Sequence, residues 1–229
     1  MERLSPLDTG LRSAASWATH THVGALMVFG GKPPEGGDFL AHVDSCLDLV
    51  PRYRQRPVQA PLGIARAAWV DDPRFNLDYH VRLSALPPPG DDEQLRRLAG
   101  RVFSQHLDRS KPLWELWLVE GLKDGRFALI TKTHSALVDG AERDLASVLF
   151  DASEEPPDPA TVRRSWTPRP EPSDAQLVSA VLADAPTLLK ELARAPLGLI
   201  GGLRARLEPA PVPTPLNVPV GTHRRVAWT

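Results

Sequence analysis

Residues 132–140 read KTHSALVDG, and the interpretation of the whole chain starts from this stretch. An imidazole, a hydroxyl, a carboxylate and a glycine fall within seven of its residues. The preceding RFALIT, residues 126–131, is apolar and β-branched over the length of a strand, whereas residues 141–150 have the apolar spacing of a helix. We therefore predict that the polar cluster lies on a strand-to-helix turn, where side chains are held rigidly yet stay accessible.

Several side chains of this turn have the chemistry of a catalytic site. His134 is of the residue type that most often acts as a general base. Ser135 suggests a serine hydrolase, but the nucleophile elbow needs Gly-x-Ser-x-Gly, and Ser135 lies between a histidine and an alanine. Asp139 can hold the turn through backbone amides, and Gly140 lets a ligand approach the main chain closely. A purely structural turn remains the alternative.

The composition favours a globular protein that does not bind nucleic acid. The 229 residues are 42% apolar, which is enough for a core, and a net charge of -1 gives no overall positive field. The single cysteine, Cys46, excludes an internal disulfide framework and is interpreted as core. The segment MERLSP at residues 1–6 lacks the apolar run of a signal peptide, and no apolar run reaches about 18 residues, so we expect a cytoplasmic protein.

Proline usage indicates two regions. Of the 24 prolines, 13 follow residue 155. We predict a domain over residues 1–150, followed over residues 151–229 by a proline-rich linker and crossover helices. The leucine-rich residues 174–203 are interrupted by prolines, and both a lipid-surface helix and a helix packed on protein remain open.

The pattern of elements before residue 150 predicts an α+β fold with a mixed sheet flanked by helices. The two clearest segments are a helix that begins at Asp91 or Asp92 and a strand at Phe127–Thr131 antiparallel to the one before it. The other predicted elements are strands over 19–29, 65–72, 75–83 and 113–119, and a helix over 39–50 capped by Asp38.

Histidines His20 and His22 would share one face of the first strand. A metal site needs at least a third ligand, and no other Cys or His spacing in the sequence supplies a recognisable one. We therefore predict no metal site, and interpret the pair as hydrogen-bonding groups or the lining of a groove.

The central turn resembles the HHxxxDG motif of the wax ester synthase/acyl-CoA:diacylglycerol acyltransferase family, which belongs to the CoA-dependent acyltransferase superfamily. Other segments resemble the same family in the same order along the chain. They are LSPLD (4–8), WVDDPRF (69–75), YHV (79–81), LDRSKPLWE (107–115), EGL (120–122), PLN (215–217) and RRVA (224–227).

This resemblance implies one lobe of a two-lobed fold like that of chloramphenicol acetyltransferases and condensation domains, with the active site in a tunnel between the lobes. The second histidine of the motif then removes a proton from a fatty alcohol or diacylglycerol, which attacks the thioester of acyl-CoA. Acyl-CoA is a co-substrate, and no cofactor is implied. Asp139 is implied to support the turn, and Gly140 to leave room for substrate.

The sequence departs from the family pattern in two ways. His134 matches the first histidine, but the second falls on Ser135, whose hydroxyl has essentially no basicity near neutral pH. The resemblance also covers only the N-terminal half of the family's usual length, so we expect the second lobe to be missing.

The expected function is acyl-CoA-dependent O-acyl transfer to diacylglycerol or a long-chain alcohol, impaired at the base position. The alternative is a non-catalytic homologue that binds acyl chains, acyl-CoA or a partner lobe. The expected partners are acyl-CoA, the acceptor lipid, a second lobe, and a membrane or lipid-droplet surface touched peripherally.

Overall fold

The computed structural model describes residues 21–58, 68–138, 144–150, 166–173, 175–176, 179 and 223–228. A short 3-10 helix, Pro51–Arg54, precedes the strand Gln55–Val58, and another, Lys123–Gly125, joins the strands Trp114–Leu122 and Arg126–His134. The strands and helices are β1 (His22–Gly30), α1 (Gly36–Cys46), β2 (Gln55–Val58), β3 (Ala68–Asp71), α2 (Leu77–His80), β4 (Val81–Ala85), α3 (Asp92–Ser104), β5 (Trp114–Leu122), β6 (Arg126–His134), α4 (Ser135–Val138) and α5 (Leu145–Leu149).

Four strands form a mixed sheet in the order β1-β6-β5-β4. The pairs β1–β6 and β5–β6 are antiparallel, whereas β4 runs parallel to β5. Strands β2 and β3 form a separate antiparallel pair. This mixed sheet with helices on both faces confirms the predicted α+β class.

Each face of the four-stranded sheet has its own apolar core. Helix α3 covers the face that carries Ala128 and Ile130, and contributes Leu95, Leu98 and Val102. Helix α1 lies on the other face, which carries Leu116, Leu118 and Leu129, and contributes residues such as Val43 and Cys46. Because successive strand residues point to opposite faces, neighbouring residues at the end of β6 belong to different environments.

Helix α3 begins where the sequence predicts. Asp91 accepts a hydrogen bond from the backbone N–H of Gln94, and the Gln94 side chain accepts one from the Asp91 backbone. This capping box satisfies two amides of the helix terminus, and the apolar face that follows packs on the sheet. The return of β6 antiparallel to β5 is confirmed as well.

Three local predictions are wrong. The strand predicted over 75–83 is divided, because the Asn76 side chain accepts a hydrogen bond from Asp78 N and starts the helical turn α2 before β4. Strand β2, QRPV, has no apolar alternation in its sequence and was not predicted. Helix α1 begins one turn earlier than expected, with Glu35 at the N-cap and Asp38 in its first turn.

The contacts within the chain define two compact units. The first comprises residues 1–58, 66–171 and 221–229, and contains all the elements above. The second comprises 59–65 and 172–220, where the described part includes a hydrogen bond from Ser173 N to Gln176 Oε1 of 2.9 Å. Of the predicted leucine-rich segment 174–203, residues 180–203 lie outside the described residues. Within the described part of the chain, no helix is long and apolar enough to cross a membrane.

Candidate active site

The motif lies at the junction of β6 and α4, as the sequence predicts. Strand β6 ends at His134, and α4 begins at Ser135. The backbone N–H of His134 donates to Leu113 O at 2.9 Å, and that of Ser135 donates to Thr21 O at 2.8 Å. These two bonds fix the backbone of the junction to the start of β5 and to the residue before β1.

The imidazole of His134 supports this junction. Its Nδ1 accepts a hydrogen bond from Ala136 N at 3.1 Å, so the ring proton is on Nε2, which lies 2.7 Å from Thr21 Oγ1 and donates to it. The side chain is buried, with 6% of its surface exposed. The Nδ1 atom thus holds the first turn of α4 and Nε2 ties the ring to Thr21, so His134 is a supporting residue in this arrangement.

Ser135 has a different environment. Its Oγ is buried and has no hydrogen-bond partner among the described residues. Because the ladder continues from His134 to Ser135, strand alternation directs the Ser135 side chain to the face opposite the His134 imidazole. A buried hydroxyl without a partner is uncommon in proteins and calls for an explanation. The side chain at this position contributes neither basicity nor a hydrogen bond to the described part of the site.

The predicted residues Asp139 and Gly140 lie outside the described residues. Their assignment as turn support and as the point of substrate approach stays a prediction. The chain is described again from Asp144, which caps α5 by accepting a hydrogen bond from Ser147 N at 2.7 Å.

A pocket of about 90 Å³ lies beside the motif, on the face of the sheet that carries Thr131 and Thr133. Thr133 and Val138, which flank the junction, line it, whereas Ser135 does not. The remaining lining residues come from β1, the Pro51–Arg54 turn, β5 and α5, and are Val23, Gly24, Ala25, Tyr53, Trp114, Glu115, Leu116, Asp144, Leu145 and Ala146. Most of this wall is apolar.

Tyr53 is an ionisable residue of this pocket that sequence reasoning missed. Burial raises the pKa of the Tyr53 phenol above its ordinary value, hydrogen bonding to the Leu145 backbone acts to lower it, the Asp144 carboxylate acts to raise it, and the Thr133 side chain acts to lower it. The aromatic rings of Tyr53 and Trp114 meet edge-to-face at 5.6 Å. Since Tyr53 lies within a proline-started turn and belongs to no spaced motif, no signal in the sequence singles it out.

The face of the sheet opposite the pocket contains a buried ion pair close to the β6–α4 junction. Lys132 is fully buried, donates to Val102 O at 2.9 Å, and has its Nζ 3.7 Å from Glu115 Oε2. Burial lowers the pKa of Lys132, and the Glu115 carboxylate acts to raise it. The pair joins β6 to β5 two residues before His134, and the hydrogen bond to Val102 O ties β6 to the last turn of α3.

The described histidines near the junction do not form a metal centre. The ring centroids of His22 and His134 are 6.1 Å apart, and those of His22 and His106 are 6.4 Å apart. Across the described ranges, no group of three or more His, Cys, Asp or Glu side chains has the geometry to hold a metal ion. His20, the other predicted member of the pair, lies outside these ranges.

Comparison with known proteins places this geometry in context. The wax ester synthase/diacylglycerol acyltransferase catalytic domain model matches residues 4–229. The probable diacylglycerol O-acyltransferase tgs3 of Mycobacterium tuberculosis is 40% identical over 186 residues, which cover 80% of this chain and 68% of that protein. A second relative from the same organism, the probable diacylglycerol O-acyltransferase tgs2, is 39% identical over 249 residues, which cover 99% of this chain and 52% of that protein.

Among solved structures, a wax ester synthase/diacylglycerol acyltransferase from Marinobacter aquaeolei is 32% identical, with a TM-score of 0.48 over 60% of this chain and 35% of that chain. The chain thus spans about half of the length of tgs2, and the part of it that aligns with the Marinobacter protein covers about a third of that protein. The family model matches nearly every residue, including the junction of β6 and α4. The chain belongs to the wax ester synthase/diacylglycerol acyltransferase family.

Proposed function

We propose that the chain contributes the motif-bearing half of an acyl-CoA-dependent O-acyltransferase, which transfers an acyl group to diacylglycerol or a long-chain alcohol. The observation that carries this proposal is the motif at the β6–α4 junction, in a chain that matches the family model over residues 4–229. The geometry of His134 is consistent with it, because the first histidine of the motif then has a supporting role rather than a catalytic one.

The proposed reaction is a thioester-to-ester exchange. A base takes the proton of the acceptor hydroxyl while its oxygen attacks the thioester carbonyl carbon; the C–S bond then breaks, and the CoA sulfur leaves as thiolate and takes up a proton. In this chain the base position is Ser135. Loss of a general base typically lowers the rate by about a hundred- to ten-thousand-fold, whereas proximity of the two substrates still gives some turnover. We therefore expect slow transfer.

The serine at the base position supports a second candidate, a homologue that binds acyl chains, acyl-CoA or a partner lobe without catalysis. The Ser135 Oγ is buried and has no partner in the described part of the chain, so it has none of the contacts that would activate it. A serine without an adjacent base is a weak nucleophile and a weak base. Binding without turnover is the outcome that this geometry favours if no other group replaces the base.

Ester formation from radiolabelled palmitoyl-CoA distinguishes the two candidates. The assay compares the unmodified chain with Ser135→His, each with dioleoylglycerol or hexadecanol, and with or without the C-terminal portion of tgs2 as a second lobe. We expect Ser135→His to form ester when that portion is present. No ester in any Ser135→His mixture would overturn the general-base assignment at residue 135, and full activity of the unmodified chain would overturn the impairment.

Peripheral contact with a membrane or lipid droplet is a separate part of the proposal. It rests on the leucine-rich residues 174–203, which contain Lys190 and Arg194 and are followed by Arg204 and Arg206. We expect the chain to co-float with phosphatidylglycerol-containing vesicles in a sucrose gradient. Recovery of all the protein at the bottom of the gradient would remove this part of the proposal and leave the acyltransferase assignment unchanged.

A further inference from the structure

The start of strand β4 holds an arginine against two aromatic rings. Arg82 is the partner of Trp117 in the parallel β4–β5 ladder, and its guanidinium carbon lies 5.5 Å from the centroid of the Trp117 ring. The same carbon lies 5.1 Å from the centroid of the Tyr79 ring, three residues earlier in α2. An arginine on aromatic faces keeps the N–H groups in the plane of its guanidinium available for hydrogen bonds.

Those N–H groups have no acceptor in the described part of the chain. The Arg82 Nε is buried without a hydrogen-bond partner, and the side chain forms no ion pair with a described residue. A buried donor without an acceptor is rare in proteins and calls for an explanation. Because the guanidinium charge is delocalised, an oxyanion at the terminal nitrogens would neutralise the charge of the whole group.

Lys111 brings a second cation to the same ring. Its Nζ lies 5.7 Å from the centroid of Tyr79, and its backbone N–H donates to Asp108 O at 3.2 Å, which fixes the turn that carries it. Among the described residues, the Lys111 ammonium has neither an ion pair nor a hydrogen bond. Both cations are only partly exposed, so an anion between them is screened less than at a fully exposed site.

The Glu115 carboxylate, on the same strand as Trp117, is already bound elsewhere. Its Oε2 lies 3.7 Å from Lys132 Nζ and accepts a hydrogen bond from Trp117 Nε1 at 3.3 Å. It forms no ion pair with Arg82, and the bond to the indole helps to fix the ring against which the guanidinium lies.

The Asp108 carboxylate is engaged as well. Its Oδ1 accepts hydrogen bonds from Ser110 N at 2.9 Å and from Ser110 Oγ at 2.8 Å. It forms no ion pair with Lys111, although the two residues share one turn. The carboxylates around the Tyr79 ring therefore leave both cations available to a ligand.

We propose that Arg82 and Lys111 form an oxyanion site for a phosphate monoester, with Tyr79 and Trp117 holding the guanidinium in place. The guanidinium fork matches two phosphate oxygens, and the flexible lysine stem can bring a second positive charge to a group that carries nearly two negative ones. The monoester is a soluble metabolite or the headgroup of phosphatidic acid, which present the same chemical group. None of the four side chains lines the pocket beside the motif, so this site is separate from that pocket.

The first test follows the Arg82 Nε–H resonance of the unmodified chain by heteronuclear NMR, with the resonance assigned from its loss in Arg82→Gln. Methyl phosphate, the smallest phosphate monoester of an alcohol, is titrated in parallel with sodium chloride at matched ionic strength. We expect a saturable shift with methyl phosphate and none with chloride, because a single ion cannot present two oxygens to the fork. The same response to both salts, or no response to either, would overturn the site.

Four variants assign the contacts by calorimetric titration with methyl phosphate. Arg82→Gln and Lys111→Gln should each weaken binding roughly ten- to a hundredfold, the value of a hydrogen bond to a charged group. Arg82→Lys keeps the charge but loses the fork and should also weaken binding. Arg101→Gln removes an exposed charge of α3 and should leave the affinity unchanged. Unchanged affinity in Lys111→Gln, or equal losses in Arg101→Gln and Arg82→Gln, would contradict the proposal.

Flotation with vesicles distinguishes the two sources of the phosphate. The unmodified chain and Arg82→Gln are compared on phosphatidic acid vesicles, whose phosphate is a monoester, and on phosphatidylglycerol vesicles, whose phosphate is a diester. A headgroup site predicts that Arg82→Gln loses recovery on phosphatidic acid alone, whereas a site for a soluble monoester predicts an Arg82-dependent methyl phosphate titration with unchanged flotation. An equal loss on both vesicles without methyl phosphate binding would overturn the site. None of these measurements requires turnover, so failure of the proposed acyl transfer leaves the site standing.

Discussion

At the scale of single residues, two neighbouring side chains of the junction have different roles, one structural and one at the position of the expected base. His134 uses both ring nitrogens to hold the strand-to-helix junction, whereas the neighbouring Ser135 has a buried Oγ with no partner in the described residues. The turn therefore has the histidine that shapes it but lacks an imidazole at the position that the family motif assigns to the base.

Replacing these two neighbours should affect stability very differently. His134→Ala leaves the buried Ala136 N–H without its acceptor and should lower the free energy of unfolding by at least about 2 kcal/mol. Ser135→Ala removes an oxygen without a partner and should change it by less than about 0.5 kcal/mol. Urea unfolding of both variants measures the difference. Equal destabilisation would contradict the assigned roles.

His80 should make stability depend on pH. Burial between Phe75 and Trp114 lowers its pKa to about 4, although its Nδ1–H donates to Trp114 O at 2.9 Å. The unfolded chain binds the proton near the ordinary pKa of about 6.5, so the free energy of unfolding should fall as the pH drops from about 6.5 to 4.

The loss from this residue should amount to roughly 3 kcal/mol at most over that range. His80→Phe preserves the stacked ring but does not titrate, so urea unfolding between pH 4 and 7 should show a shallower pH dependence for the variant. The same slope for both proteins would show that His80 does not titrate in this way.

At the scale of elements, β6 is the strand on which the site depends. It pairs with β1 on one side and β5 on the other, and Lys132 ties it to α3 through Val102 O and to β5 through Glu115. Because a buried charge without its partner is far more costly than the pair itself is favourable, this contact is sensitive to single substitutions.

Lys132→Met should therefore lower the free energy of unfolding by about 3–5 kcal/mol, since it leaves the Glu115 carboxylate buried without its cation. The double variant Lys132→Met/Glu115→Gln removes that charge, while the new side-chain amide still offers an acceptor to Trp117 Nε1, and should recover at least half of the loss. Chemical unfolding of the two variants provides the comparison. A double variant no more stable than the single one would contradict a charge-pairing role.

The elements show how far the sequence predicts the fold. Helix α3 and the β5–β6 pair were predicted because capping residues and apolar periodicity specify them locally. Strand β2 was missed because its QRPV sequence is specified by pairing with β3 rather than by its own pattern. At the site, motif spacing identified His134 and Ser135, whereas Thr21, Tyr53 and Asp144 come from distant segments that only tertiary contacts unite.

At the scale of the whole first unit, residues 166–171 are held against the β2–β3 pair. Arg169 binds Asp71 through its backbone N at 3.0 Å, Nε at 3.1 Å and a guanidinium nitrogen at 3.0 Å, and Arg56 bonds to Glu171 at 2.6 Å. Burial acts to raise the pKa of Asp71, but hydrogen bonds from Arg169 and Gln55 hold it at about 2. The carboxylate therefore stays ionised at physiological pH and keeps this contact.

Asp71→Asn should weaken the attachment of this segment, because the amide loses the charge that Arg169 binds. We expect chymotrypsin to cleave the variant after Trp166 several times faster than the unmodified chain, as followed by mass spectrometry. Glu93→Gln breaks an exposed helix ion pair elsewhere and should leave the cleavage rate unchanged. Identical time courses for Asp71→Asn and the unmodified chain would show that the contact does not restrain the segment.

The central claim is that residue 135 is the general-base position of an otherwise family-like junction. The pH dependence of ester formation, measured with the C-terminal portion of tgs2 present, tests it most directly for the unmodified chain, Ser135→His and Ser135→Ala. The account predicts that Ser135→His is at least about a hundredfold faster and gains rate with an apparent pKa near 6.5, while the other two are slow and lack this titration. The same rate and pH dependence in all three proteins would contradict it.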